Sequence, residues 1–260
     1  MKALFQLFVL FSILSSCGIS KTQKESKKYV LEEKKLILSK LNDSTYVFTT
    51  FSYYEDTKFS ANGLIKICSD GIVLIDTPWD SSQFQALLDE IKFRFNLPVK
   101  LIISTHSHID RTNGLEYYSK LGIPTYTSRS TYNICKERGE KHSEFTFRND
   151  TTFVVGNTKI ETFYPGAGHA PDNIVIWFPN DKVLFGGCFI KSTEAENIGN
   201  LADANVGIWP IALKAVKRKY KKPNFIIPGH QSWESLESIN YTLSLLKKLG
   251  KEKDEEVDKK

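Results

Sequence analysis

The sequence lacks a strong charge of either sign, an internal repeat and any low-complexity block. Its 35 Lys and Arg oppose 30 Asp and Glu, and the two signs are interleaved along the chain. This balance excludes the concentrated basic surface on which nucleic-acid binding depends. With 41% hydrophobic residues, 15 Gly and 9 Pro, the composition also excludes collagen-like repeats and wholesale disorder. The 260 residues suffice for one large α/β domain or two small ones.

Long hydrophobic runs are also missing. The apolar run Ala3–Leu14 is about half the roughly 20 residues that a membrane-spanning helix needs, and it fits the core of a secretory signal. It leads into Leu-Ser-Ser-Cys17, which resembles the lipobox of bacterial lipoproteins; the alternative is an ordinary signal cut near Ser16. We therefore predict a signal peptide with lipobox over 1–17, a polar linker over 18–28, and a periplasmic protein whose lipidated Cys17 anchors it to the outer membrane. No later segment is predicted to cross a bilayer.

Cysteine is scarce, and the four present do not suggest a disulfide framework. Beyond Cys17 there remain Cys68, Cys135 and Cys188, an odd number for an exported protein. We expect Cys68 to pack in a strand and Cys135 in a helix. Cys188 is then the thiol available for chemistry.

Strand and helix patterns alternate in two successive halves, about 29–150 and 151–250, before a charged tail over 251–260. This order predicts an α/β protein with sheets inside and helices outside. Strands are predicted at 46–51, 63–68, 71–76, 99–104, 152–155, 159–163, 173–178, 182–185 and 225–227, and helices at 82–95, 115–121, 208–220 and 232–249.

Four short motifs place nitrogen, oxygen or sulfur donors where strands end. His106-x-His108-x-Asp110 follows a buried strand, and alternate residues of an extended segment project to the same side. The other three are Gly168-His169, Gly187-Cys188 and Gly229-His230, each at a glycine-containing turn.

Such a set of donors indicates a metal centre. A single histidine is more often structural than a ligand, and among the five histidines His142, in a charged stretch, fits that description. Four independent placements at strand ends favour ligands for the rest. Six donors exceed the needs of one tetrahedral zinc, and two zinc ions about 3.5–4 Å apart can share a hydroxide.

In these motifs and their order the chain resembles the zinc metallo-β-lactamases of class B, subclass 1. Further matching stretches are Ile75–Trp79, Leu184–Lys191 and Gly199–Asn205. Superfamily members that act on thioesters, phosphodiesters or lactones usually carry His and Asp where this chain has Arg111 and Cys188. The resemblance implies a four-layer αββα sandwich over 29–250.

The resemblance also implies a ligand set and a mechanism. A metal-bound hydroxide would attack the β-lactam carbonyl, and Asp110 would be catalytic as well as a ligand. Lys191 would bind the substrate carboxylate, and Asn200 would bind and polarise the lactam carbonyl. The first zinc would be held by His106, His108 and His169, and the second by Asp110, Cys188 and His230.

Neighbouring residues receive supporting roles. Asp76 is expected either to order loop backbone behind the ligands or to cap the following helix, and Arg111 to brace the second site without taking part in catalysis. Phe51–Phe59 matches the family's mobile hairpin over the substrate, with Tyr53, Tyr54 and Phe59 as its apolar face; the alternative is an ordinary exposed hairpin. Asn113 replaces a usual glycine, and we expect it to adopt the left-handed backbone of a turn.

These observations predict a monomeric β-lactam hydrolase with two Zn²⁺, acting on penicillins, cephalosporins and carbapenems and conferring antibiotic resistance. Two alternatives remain open from sequence. One is a superfamily hydrolase acting on a lactone, thioester or phosphoester, and the other is a surface lipoprotein that binds zinc without turnover.

Overall fold

Two β-sheets form the centre of the protein. The computed structural model describes residues 36–54, 56–148 and 150–257, so the predicted signal peptide, linker and Cys17 lie outside the described residues. The first sheet has seven strands, which lie in sequence order. They are β1 (Leu36–Lys40), β2 (Thr45–Tyr54), β3 (Thr57–Cys68), β4 (Gly71–Ile75), β5 (Val99–Ile103), β6 (Thr125–Ser128) and β7 (Phe145–Phe147).

The second sheet has five strands in the reverse order, from β12 to β8. They are β8 (Thr152–Val155), β9 (Thr158–Phe163), β10 (Val175–Phe178), β11 (Val183–Gly187) and β12 (Phe225–Pro228). Strands β4 to β7 pair in parallel in the first sheet, and β11 pairs in parallel with β12 in the second. The other pairs are antiparallel.

Six α-helices complete the described fold. They are α1 (Phe84–Phe95), α2 (Ile109–Thr112), α3 (Leu115–Lys120), α4 (Arg129–Arg138), α5 (Trp209–Lys219) and α6 (Ser238–Val257). A single 3-10 turn over Ser81–Gln83 leads into α1. No helix among the residues described is long and apolar enough to cross a membrane.

Three apolar layers hold the sheets and helices together. Because side chains alternate across a strand, Val73 and Ile75 of β4 face the second sheet, whereas Ile72 and Leu74 pack against α1 and α3. On the far side, Trp177 of β10 joins the layer between the second sheet and helices α5 and α6. Burial on both faces explains why these strands are continuous hydrophobic runs. The layers run helix, sheet, sheet, helix, which confirms the predicted αββα sandwich.

Some elements differ from their predictions. Strands β1, β6 and β7 were not predicted; β6 (Thr-Tyr-Thr-Ser) is rich in small polar residues, yet three of its four residues are buried. The last helix begins at Ser238 rather than 232 and continues to Val257, beyond the predicted end at 249. Pairs one turn apart support this extension, as in Lys248 Nζ and Glu252 Oε1 at 3.9 Å.

The two sheets are joined by backbone hydrogen bonds at one edge of the sandwich. Asn62 N of β3 donates to Gly229 O, which follows β12, over 2.8 Å. Ile174 N, just before β10, donates to Thr105 O, which follows β5, over 3.0 Å. The loops after β4, β5, β11 and β12 therefore meet at this edge, where polar groups of both sheets can form one site.

Candidate metal centre

The loop after β5 is held by a buried carboxylate. Asp76, directly after β4, accepts the backbone N–H of Thr105 over 2.8 Å and its hydroxyl over 3.0 Å. It does so from a left-handed backbone with φ 63°, a conformation that Asp tolerates better than most residues. Asp76 therefore orders the segment that leads into His106, and the N-cap of the following 3-10 turn is Asp80 instead.

In the second sheet, Cys188 and His230 follow two turns that pack closely against each other. Gly229 N donates to Gly187 O over 2.7 Å, which brings the turn before His230 against the turn before Cys188. A side chain at position 229 would place its Cβ 2.6 Å from Cys188 N and 2.9 Å from Cys188 Sγ. Only glycine fits this close approach.

The predicted ligands from both sheets converge. They form three overlapping groups, and within each group the donor atoms all lie within 4.8 Å of one another. These groups are His106, His169 and Cys188; His106, His108 and Asp110; and Asp110, Cys188 and His230.

The third of these groups matches the predicted second site. Cys188 Sγ lies 3.3 Å from Asp110 Oδ2 and 3.2 Å from His230 Nε2. His230 Nε2 is in turn 3.2 Å from Asp110 Oδ2. Its other ring nitrogen, Nδ1, contacts Ser60 O on β3, so Nε2 is the atom turned to the cluster.

The three histidines predicted for the first site lie next to one another in pairs, although the three together are not one of these groups. The His106 ring lies 4.8 Å from that of His108 and 5.2 Å from that of His169, centroid to centroid. His108 Nδ1 is 3.0 Å from His169 Nε2. His106 also belongs to the group with Cys188, so the two predicted sites adjoin.

Burial keeps two of these histidines neutral. It lowers the pKa of His106 well below the usual value, and nearby His108 lowers it further. Burial acts in the same way on the pKa of His169, reinforced by the charge of Lys191. Neutral imidazoles are the protonation state that binds metals.

A buried arginine supports the acidic ligand. Burial alone would raise the pKa of Asp110, but Arg111 and then His230 outweigh it and hold that pKa well below its usual range. Arg111 also donates to Gly229 O over 2.8 Å and to Asn62 O over 2.7 Å. It therefore braces Asp110, as predicted, and also holds backbone of both sheets, from a position with no exposed surface.

The donor set fits a metal. His106 Nε2 is buried with no hydrogen-bond partner, an arrangement that costs free energy unless a further group binds there. Burial raises the pKa of the Cys188 thiol, and a cation at its sulfur would reverse that effect. Imidazole, thiolate and a single carboxylate are ligands typical of zinc, so the chemistry of the cluster suits a metal of this kind.

Lys191, one of the two predicted substrate contacts, lies beside an aromatic ring that is next to His169. Its Nζ is 5.5 Å from the centroid of the Trp209 ring, and that ring is 5.8 Å from His169. Asn200 is exposed and lies in the loop between β11 and α5; its Oδ1 accepts Ala202 N over 2.9 Å.

Two residues next to the cluster were not assigned from sequence. His108 Nε2 lies 2.9 Å from Asp203 Oδ2, and Arg138 contacts the same carboxylate. The pKa of Asp203 is lowered, first by its hydrogen bond with Arg138. Asp203 could have been found from sequence, because it lies within the matching stretch Gly199–Asn205. Nothing in the sequence around Arg138 indicates a role for that residue.

The hairpin and the turn after Arg111 also have clear positions. In the hairpin, β2 reaches Tyr54 and β3 begins at Thr57. Tyr53 is 62% exposed and Phe59 is 39% exposed. The prediction for Asn113 is wrong: its φ of −56° and ψ of −33° are right-handed. Helix α2 ends one residue earlier, and Asn113 follows it in right-handed backbone. Its Nδ2 donates to Trp79 O over 2.8 Å. His142 lies outside the three donor groups and contacts Ser143 O.

Comparison with known proteins agrees with this geometry. The family model described as "Metallo-beta-lactamase superfamily" matches residues 60–230. A type 2 metallo-beta-lactamase of Elizabethkingia meningoseptica is 38% identical over 80% of this chain and 84% of its own. Metallo-beta-lactamase IND-1 of Chryseobacterium indologenes is 34% identical over 95% of this chain and 100% of its own.

Solved structures show the same relationship. The crystal structure of metallo-beta-lactamase IND-7 superimposes with a TM-score of 0.80 at 35% identity, covering 82% of this chain and 99% of that one. A metallo-beta-lactamase from Pontibacter korlensis gives a TM-score of 0.79 at 36% identity over the same shares. As its motifs predicted, the chain belongs to the metallo-beta-lactamase superfamily.

Proposed function

We propose that this protein is a zinc-dependent hydrolase of the β-lactam amide bond and confers resistance to β-lactam antibiotics. The observation that carries the proposal is the convergence of donors from both sheets, with Cys188 and Arg111 at the positions that distinguish β-lactamases from other hydrolases of the superfamily. The relatives named metallo-beta-lactamases support the same activity.

We propose two zinc ions, one held by His106, His108 and His169 and one by Asp110, Cys188 and His230. Bound zinc supplies a nucleophile at neutral pH, since it lowers the pKa of water to about 7. The chain contributes neutral imidazoles at His106 and His169 and an ionised Asp110. No serine nucleophile is required, so inhibitors that acylate serine are expected to fail.

Lys191 provides the positive charge that a substrate carboxylate needs. Its ammonium sits against the Trp209 ring, and a Cβ at Gly199 would lie 3.5 Å from its Nζ. Burial lowers the pKa of Lys191, because it removes part of the water around the ammonium. A poorly hydrated cation gains more from a carboxylate than a surface lysine does, because less water is displaced on pairing.

Asn200 is suited to the developing charge on the lactam oxygen. Its Oδ1 already accepts the backbone N–H of Ala202, so the amide has its NH₂ group left to donate. A donor directed at an oxyanion stabilises the transition state more than the ground state. We assign Asn200 this role.

We also infer that carbapenems are among the substrates and that the enzyme is a monomer anchored in the periplasm through Cys17. The support for anchoring is the Leu-Ser-Ser-Cys17 motif after the apolar run Ala3–Leu14. Replacing Cys17 by Ser should move the protein from the membrane to the soluble fraction of the periplasm. Retention in the membrane would contradict lipidation.

The first experiment is hydrolysis of a carbapenem and a cephalosporin by the purified protein, with and without a chelator and after zinc is restored. We expect turnover that the chelator abolishes and zinc recovers. Zinc binding without turnover of either antibiotic would overturn the proposal. In that case a panel of lactones, thioesters and phosphoesters would separate another hydrolase from a zinc-binding lipoprotein.

A further inference from the structure

Arg138 and Asp203 form a bidentate ion pair at the edge of the candidate metal centre. Arg138 is the last residue of α4, and Asp203 lies in the loop between β11 and α5. Nη1 of Arg138 is 2.9 Å from Oδ2 of Asp203, and Nη2 is 2.9 Å from Oδ1. The two side chains are only partly exposed, at 38% and 26%. A guanidinium that donates to both oxygens fixes the plane of the carboxylate as well as its position.

The same carboxylate determines how His108 is protonated. Asp203 Oδ2 lies 2.9 Å from His108 Nε2, and an ionised carboxylate can only accept a hydrogen bond. Nε2 must therefore carry the proton when His108 is neutral. The lone pair is then on Nδ1, which lies 3.0 Å from His169 Nε2 inside the donor cluster.

We propose that Arg138 is a positioning residue for the metal centre: it fixes Asp203, and through Asp203 it fixes the ring orientation and tautomer of His108. Without Arg138, Asp203 is a partly exposed side chain on a loop, free to turn towards water. The loss of its orientation lets His108 rotate or place its proton on Nδ1, the atom needed as a ligand. Groups that orient a ligand in this way typically change metal affinity about 10–100-fold when mutated.

The pair also ties together two distant parts of the chain. Helix α4 belongs to the first half of the fold, whereas Asp203 shares its loop with Asn200, the proposed donor to the lactam oxygen. Backbone near Asp203 is held too, because Asn205 N donates to Gly168 O over 2.8 Å, next to His169. Arg138 therefore acts where the first metal position adjoins the loop between β11 and α5.

The inference rests on the zinc centre of the proposed function, so its test measures metal binding without substrate. Zinc affinity of Arg138→Ala, Arg138→Lys and Asp203→Ala is compared with wild type by competition with a chromophoric chelator. Lys141→Ala is the matched control: it removes one positive charge just beyond α4, from an exposed pair with Glu116 at 3.1 Å. Urea unfolding of each metal-free variant checks that the fold is intact.

We expect Arg138→Ala to weaken binding at the first metal position by about 10–100-fold. Arg138→Lys should recover part of this, Asp203→Ala should match Arg138→Ala, and the double variant should lose little more. Lys141→Ala should bind zinc as wild type does. In cobalt-substituted protein, Arg138→Ala should alter the ligand-field bands of the histidine site and leave the Cys188 thiolate charge-transfer band unchanged.

Wild-type affinity in Arg138→Ala, or an equal loss in Lys141→Ala, would overturn the inference. So would a change confined to the thiolate band. A protein that binds zinc with the expected differences among variants but hydrolyses no β-lactam would overturn only the proposed function.

Discussion

Arg111 Nη2 and Asp110 Oδ2, from adjacent residues, meet at 2.8 Å where neither side chain is more than 9% exposed. A buried ion pair of this kind gains its Coulomb energy only while both partners remain, since each charge has lost its water. Arg111 also lies 3.3 Å from Asp76 Oδ2, so one guanidinium compensates two buried carboxylates. The charge of Arg111 is therefore a condition for keeping Asp110 ionised.

Arg111→Met should lower the free energy of unfolding by about 3–5 kcal/mol, because it leaves uncompensated carboxylates in the interior. Urea denaturation of the metal-free protein measures this loss. Arg94→Met is the control: Arg94 pairs with Glu90 at 2.7 Å on the exposed side of α1, and such pairs contribute about 0–1 kcal/mol. Equal losses in the two variants would contradict the role of burial.

Asp76 gives a pH-dependent prediction. Burial raises its pKa to about 6, although Arg111 opposes this, whereas an unfolded Asp titrates near about 3.9. The native state thus binds the proton more tightly, and this group's contribution to stability falls as the pH rises from about 4 to about 6, by on the order of 2–3 kcal/mol.

Asp76→Asn should remove that slope without straining the backbone, since Asn also tolerates a positive φ. The measurement is the unfolding free energy of both metal-free proteins between pH 4 and 7. The wild-type value minus the variant value should decrease with rising pH in this window. Parallel curves would show that Asp76 does not titrate there.

Cys188→Ser should keep the fold but sharply weaken the second zinc and the activity, because a serine hydroxyl is a much poorer zinc ligand than a thiolate. Metal content after dialysis measures the loss. Cys68→Ser, also buried but at the opposite end of β3 from the centre, should retain the wild-type zinc content. Full activity with two zinc ions in Cys188→Ser would rule out this ligand.

Lys191→Ala should raise KM about 10–100-fold for carboxylate-bearing β-lactams, the loss expected for a hydrogen bond to a charged group, with a smaller change in kcat. The methyl ester of the same antibiotic should show little difference between wild type and variant. Lys217→Ala, an exposed lysine that contacts Asn240, should leave KM unchanged. An unchanged KM in Lys191→Ala would remove its proposed role.

Gly229→Ala should displace Cys188 and destabilise the protein by about 1–3 kcal/mol, because the added Cβ meets backbone that cannot move aside freely. Gly250→Ala is the opposite control. Gly250 lies in α6, and the Cβ that alanine would add there has no heavy atom within 4 Å, so the change should stabilise the helix by up to about 1 kcal/mol. Thermal unfolding of both variants tests the pair of predictions; two effects of the same sign would contradict it.

Local patterns predicted the layered α/β order and the donors at strand ends, and the resemblance to the metallo-β-lactamases implied the four-layer sandwich and the ligand set. Val73 and Ile75 alternate with Ile72 and Leu74, and each donor follows a strand that such patterns reveal. The contact between Arg138 and Asp203 has no local signal, since its partners are brought together only by folding. Strand β6 was missed for a related reason. Its polar residues are buried by segments that are distant in the sequence and pack against it only in the folded protein.

The donors come from both sheets in each proposed site. His106 and His108 follow a strand of the first sheet, while His169 lies in the loop between β9 and β10 of the second. Asp110 likewise faces Cys188 and His230. A cation bound at either position would therefore act as a cross-link between segments far apart in the chain, and such links stabilise most when the loop they close is long. The protein can complete either site only after its two halves have docked, so metal capture becomes a late step of folding and a check on its correctness.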